Sequence, residues 1–161
     1  ALFQVLNFSV VAGGLFLITG FLHHRTGSCD SLSLGGVAQS MPLLAAFFFL
    51  FALASMGVPG TNGFIAEHLI LLSSLKTHTG AGLAALAGMV MSAAYFLSIY
   101  RVAFLGNSQR SIVTEALDLR PRELTLVLVF TALIFYTGLN PSSVLDITRV
   151  ASEQWLSHIH H

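Results

Sequence analysis

The sequence predicts an all-α integral membrane protein. It has about four transmembrane helices, one of them discontinuous at Pro59-Gly60, and a short C-terminal amphipathic helix. Three observations lead there. Only 9% of the 161 residues are charged and 55% are hydrophobic, whereas soluble domains carry about 25% charged residues. A chain with so few charges cannot coat its own surface with polar groups, and its mean hydropathy of +0.80 suits a bilayer as solvent. The apolar runs are long and lack the strict alternation of barrel strands, so helices must satisfy their backbone groups.

Ala1 to Leu22 carries no charge and is long enough to cross about 30 Å of hydrocarbon. His23, His24 and Arg25 stop it, and TGSCDSLSLGGVAQS reads as a loop. The next apolar run extends from Met41 to Ala66, longer than one span needs, and continues past Glu67 to Leu75. Lys76, read as a snorkelling anchor, and the THTGAG turn end it. Leu83 to Tyr100 is the third segment, closed by Arg101. The stretch GNSQRSIVTEALDLRPRE is the most charged loop. Leu124 to Leu139 is the fourth segment, stopped by Asn140-Pro141. Beyond it, Val144, Ile147, Val150, Ala151 and Trp155 recur at helical spacing, which predicts an interfacial helix. Residues 1–140 are therefore read as the membrane domain and residues 141–161 as an interfacial tail.

Basic residues set the expected orientation. Arg25, Arg101, Arg110, Arg120 and Arg122 fall in the first and third loops, against Lys76 and Arg149 on the other side. Five against two places those loops inside and the C-terminus outside. Zero formal net charge leaves no basic face for nucleic acid, and a single cysteine, Cys29, rules out a disulfide framework. The chain opens on ALFQ without Met or a basic n-region, which reads as the later part of a longer protein.

The stretch GVPGTNGFIAEH sets the functional expectation. Pro59 removes an N–H donor, Gly60 and Gly63 permit conformations that other residues resist, and Thr61 and Asn62 can cap a restarting helix. Unwound backbone at membrane depth needs protein or water around it, and broken helices mark ion sites in transporters. Glu67 follows one turn later. An ionisable group in a membrane helix costs about 3 kcal/mol on translocon scales and is functional by default. The plain alternative is a carboxylate that pins a neighbouring helix. His68 sits about 100° further round and either joins a proton path or faces a neighbour. Asn7, Ser9, Ser92, Tyr95 and Ser98 are polar groups within spans, suited to holding water or to helix packing. Phe47, Phe48 and Phe49 read as packing or lipid contacts. His23, His24, His158, His160 and His161 complete no ligand set with Cys or acid, so no metal site is assigned.

MPLLAAFFFLFALASMGVPGTNGFIAEHLILLSSL resembles the broken twelfth helix of the antiporter-like subunits of respiratory complex I. GGLFLITGFLHHRTGS and GGVAQSMP before it, then AAYFLSIYRVAFLG, DLRPREL and NPSSVLDI after it, extend the resemblance over almost the whole chain. It implies helices eleven to fourteen of a fourteen-helix subunit. Glutamate at position 67, where related chains usually carry lysine, is similar to the chain M (subunit 4) branch. The resemblance implies that Glu67 is the key proton residue of a half-channel. It also implies that this chain holds no cofactor, with NADH, FMN, iron–sulfur clusters and quinone in other subunits. Implied partners are the other membrane-arm subunits, including neighbouring antiporter-like chains, and the lipid bilayer. The implied location is the bacterial inner (cytoplasmic) membrane or an equivalent energy-transducing membrane, and the implied role a non-redox, proton-translocating subunit of NADH–quinone oxidoreductase. A subunit of a multisubunit cation/proton antiporter or of a complex I-like membrane-bound hydrogenase is the alternative. One departure stands out: a histidine common in the family's eleventh helix is Phe8 here, flanked by Asn7 and Ser9.

Overall fold

The computed structural model describes residues 2–28, 34–107, 113 and 116–142 and is built from helices, with no strand among the described residues. Cys29, Arg110 and the tail predicted as an amphipathic helix, from Val144 through Trp155 to the terminal histidines, lie outside the described residues. Helix α1 covers Leu2–Thr26. A short α2 (Val37–Ser40) leads into α3 (Pro42–Ser55), and α4 (Asn62–Thr77) follows a break. Helix α5 (Thr79–Ile99) ends in a π-helical turn, Tyr100–Phe104, and α6 covers Pro121–Leu139.

Among the described residues, three stretches are long and apolar enough to cross a membrane: Phe3–Thr26, Thr79–Phe104 and Pro121–Leu139. Helix α3 is apolar but has only 14 residues, about 21 Å at 1.5 Å per residue. It reaches crossing length only together with α4, as a discontinuous helix.

Helix α1 packs along α3 and α6 and touches α4, while α4 lies against α5 and α6. The main core joins Val11 and Ile18 of α1, Val37 of α2, Leu44 and Phe51 of α3, Phe104 of the π-helical turn, and Val127 and Ile134 of α6. No residue of α4 or α5 belongs to it. Outward faces carry large apolar side chains, among them Phe16 at 79% and Met91 at 73% exposure, as expected where lipid or another helix replaces water.

Three local features differ from the sequence reading. Val37, expected in a loop, is fully buried and starts α2. The THTGAG turn shrinks to His78 alone between α4 and α5. Gly82 allows this, because a Cβ there would meet Leu75 of α4, including its Cα at 3.0 Å. The third span does not stop at Arg101 but continues to Phe104. The π register turns Phe104 inward, where Phe48 stacks on it at 4.5 Å and Tyr100 at 5.0 Å. Phe48 and Phe49, the latter 4.8 Å from Tyr100, are thus packing residues.

A polar clamp joins three helix ends. Arg25, in the last turn of α1, donates from Nε to Leu117 O at 2.7 Å, from Nη1 to Phe21 O at 3.0 Å and from Nη2 to Asp118 O at 3.2 Å. Its Nη2 also pairs with Glu123 Oε2. Glu123 in turn accepts the Arg120 N–H at 2.9 Å, tying the start of α6. The Asp118 carboxylate accepts the N–H groups of Leu43 (2.8 Å) and Leu44 (3.1 Å), the orphan donors at the start of α3. Asp118 is thus an N-terminal cap delivered from 75 residues away in sequence. Asp118→Ala is expected to lose about 1–2 kcal/mol, read as a lower thermal midpoint of the full-length protein in detergent. An unchanged midpoint would mean that water serves those donors equally well.

Candidate functional site

Helix α3 stops before the Pro-Gly pair is reached. Gly57 N–H donates to Ala54 O at 3.3 Å and Val58 N–H to Leu53 O at 3.2 Å, with Gly57 at φ +69°. This is a Schellman closure, which needs a left-handed residue, and proline commonly follows it. The break therefore begins at Gly57, two residues earlier than Pro59-Gly60. Pro59 and Gly60 instead fill the centre of a β-turn. Thr61 N–H donates to Val58 O at 3.1 Å and Gly60 has φ +95°, the type II arrangement with Pro second and Gly third.

Thr61 precedes α4 in an extended conformation (φ −100°, ψ 160°). Its hydroxyl donates back to Val58 O at 2.7 Å, so it closes the turn rather than capping the helix. That corrects the capping role expected for it. Asn62 opens α4 and is 1% exposed, and its Oδ1 meets no donor among the described residues. Helix α6 closes on the break through Gly138, where a Cβ would lie 2.6 Å from Thr61 C and 2.7 Å from Asn62 N. Gly63 is buried against the Ala54 carbonyl at the end of α3.

Glu67 lies five residues into α4 and folds back onto the break. A Cβ built on Gly57 would be 2.5 Å from Glu67 Oε2. The glycine thus supplies both the backbone conformation and the space for the carboxylate. Glu67 is half-buried and lines an open-sided cavity of about 250 Å³. Gln4 of α1, Ile70 and Leu71 of α4, and Ala85, Gly88, Met89 and Ser92 of α5 form the rest of its wall. Glu67 has no ion-pair partner among the described residues; the pair there is Arg25–Glu123, in the clamp.

The structure therefore brings Glu67 and Ser92 together and adds Gln4, which the sequence reading passed over. Asn7 is buried on the same helix as Gln4, at 7% exposure, and its Nδ2 donates to Gln4 Oε1 at 3.4 Å. The remaining candidates sit elsewhere. His68 is exposed and stacks on Phe64, centroids 5.1 Å apart. Ser9 is exposed and donates to Val5 O at 2.8 Å within its own helix. Tyr95 is 63% exposed, edge-on to Phe96. Of the three polar residues spaced along α5, Ser92 lines the cavity while Tyr95 and Ser98 are exposed. Phe8, which stands where the resemblance led us to expect histidine, is 69% exposed. A spacing signal for Gln4 was available: amides at i and i+3 in an otherwise uncharged segment meet on one helix face.

A family profile described as NADH:quinone oxidoreductase/Mrp antiporter, TM, matches residues 1–94. The chain belongs to that family. Its curated relatives include NADH-quinone oxidoreductase subunit M of Rickettsia felis, 38% identical over 97% of this chain and 32% of the relative. The Pseudomonas aeruginosa protein of the same name is 35% identical over 95% of this chain and 30% of its own length. NADH-ubiquinone oxidoreductase chain 4 of Marchantia polymorpha is 30% identical over 96% and 31%. Among solved structures, a chain of respiratory complex I from Thermus thermophilus with bound NADH superposes with a TM-score of 0.75 at 33% identity. That match covers 81% of this chain and 27% of the other. The chain thus spans about a third of the length of the curated relatives it matches. Family membership places the discontinuous α3–α4 pair and its carboxylate within a fold of membrane antiporter-like subunits.

Proposed function

We propose that this chain forms part of a proton-translocating membrane subunit of an NADH–quinone oxidoreductase, with Glu67 as its proton-carrying group. One observation carries the reading: the Glu67 carboxylate is packed on the Gly57 turn of a broken helix and opens into a cavity that also holds Gln4 and Ser92. A carboxylate so placed binds or releases a proton when its hydration or a neighbouring charge changes. The broken backbone beside it can change shape without unzipping a continuous helix. Relatives named as subunits of NADH-quinone oxidoreductase support this setting.

In the proposed mechanism, quinone reduction elsewhere in the complex alters the field or the water around Glu67. The carboxylate takes a proton from one aqueous side and yields it to the next group or to the other side. No electron passes through this chain, and NADH, FMN, iron–sulfur clusters and quinone belong to other subunits. Its partners are the other membrane-arm subunits, including neighbouring antiporter-like chains, and lipid. Its location is the bacterial inner membrane or an equivalent energy-transducing membrane.

The test is Glu67→Gln in the full-length subunit within its complex. Glutamine keeps the shape but cannot ionise. In inverted membrane vesicles with normal assembly, NADH oxidation and proton uptake should fall together by about tenfold or more. Wild-type values for both would make the carboxylate structural.

A further inference from the structure

We infer that Gln4 of α1, oriented by Asn7 one turn later, is a water-holding station that hydrates the Glu67 cavity. This rests on the reading of Glu67 as the proton-carrying group. Asn7 is 7% exposed, and its Oδ1 is fully enclosed without a hydrogen-bond donor among the described residues. The enclosed oxygen leaves no room for a water beside it, and Asn7 does not line the cavity, so Asn7 acts through its amide nitrogen. Asn7 Nδ2 is directed to Gln4 Oε1. Gln4 stands one turn earlier and lines the same cavity as Glu67 and Ser92. With its oxygen engaged, the Gln4 amide presents its N–H groups as donors.

The cavity suits water. Its volume of about 250 Å³ exceeds several times the share of one molecule in the liquid, about 30 Å³. Ile70, Leu71, Ala85 and Met89 are apolar, so Gln4, Glu67 and Ser92 are the side chains that can hold a molecule in place. A buried water needs two to four polar partners, and this trio supplies them. Amides neither gain nor lose protons near neutral pH. The station therefore orients water, and Asn7 and Gln4 are positioning residues, while Glu67 alone changes protonation.

The experiment uses the full-length subunit in its assembled complex, with Gln4→Met and Asn7→Leu, which keep volume but bind no water. Proton uptake and NADH oxidation are followed in inverted vesicles made in H₂O and in D₂O. The rate should fall about fivefold, the loss of one hydrogen-bonded link, and the H₂O/D₂O rate ratio should rise because proton delivery becomes limiting. Gln4→Ser, which restores a donor and leaves room for one more water, should recover much of the rate. Normal rates and an unchanged isotope ratio in Gln4→Met and Asn7→Leu, alongside an inactive Glu67→Gln, would overturn the station and leave the Glu67 reading standing. An active Glu67→Gln would instead overturn that reading and the station with it. Should the leucine variant fail to assemble, a high-resolution map of the unaltered complex decides. Ordered water within hydrogen-bond distance of the Gln4 amide nitrogen, inside the Glu67 cavity, supports the station, and an empty or apolar surrounding overturns it.

Discussion

Gly57→Ala is expected to lower both the stability and the proton coupling of the full-length subunit, whereas Gly60→Ala lowers stability alone. Both glycines have positive φ, +69° and +95°, so alanine at either adds backbone strain of about 1–2 kcal/mol. Their surroundings differ. Nothing lies within 4 Å of a Cβ at Gly60, but a Cβ at Gly57 meets Glu67 Oε2 at 2.5 Å. Relieving that overlap swings the flexible end of the Glu67 side chain out of its seat, which adds little to the stability loss but displaces the carboxylate from the break. Thermal midpoints of the purified complex and protons taken up per NADH in vesicles measure the two effects separately. Equal coupling in Gly57→Ala and Gly60→Ala would show that the carboxylate tolerates displacement from the break.

The second large effect belongs to Arg25. Its side chain is 9% exposed and reaches three carbonyls and the Glu123 carboxylate across α1, α6 and the segment before α6. Arg25→Met leaves that carboxylate and those carbonyls short of a cation. The Glu123 side chain is 21% exposed, so water takes up part of the loss and the cost is about 1.5–3 kcal/mol, that of hydrogen bonds to a charged group. The expected result is a subunit lost from the complex at markedly lower temperature. Arg25→Lys should recover little, since an ammonium cannot reproduce the planar fork. Arg25→Met with Glu123→Gln should recover part, because the stranded charge goes too. A midpoint within a degree of wild type for Arg25→Met would mean that the clamp is screened by solvent and contributes little.

The residues in this clamp illustrate what pattern reading can reach. Arg25 is legible as a helix stop and as one of the basic residues of its side. Its partners, Leu117 and Asp118, lie 92 and 93 residues away, and no local rule links them. The same holds for Asp118 as the cap of α3, since capping signals are normally sought next to the helix they cap. Inside the break the case is mixed. Gly57 followed by Pro59 is a local signature of a Schellman end, whereas the reading from Pro59-Gly60 placed the break two residues late. The exchange of Thr61 from cap to turn lock depended on its hydroxyl donating to Val58 O instead of accepting an N–H of α4, which the local sequence does not decide.

Composition alone determined that this chain dissolves in lipid, because so few charges cannot clothe a water-soluble fold. Charge-free run lengths determined the number of crossings, because hydrocarbon thickness fixes helix length. The GVPGTNGFIAEH motif determined that one crossing is discontinuous and carries an acid, because Gly and Pro act on their own backbone. Only the tertiary structure decided what the acid faces. Gln4 and Ser92 reach its cavity from α1 and α5, while Ser9, Tyr95 and His68 turn away. The physical reason is rotational. Sequence fixes how far along a helix a residue stands, but neighbouring helices, packed through close approaches such as Gly57 on Glu67 and Gly138 on the break, fix which face turns inward.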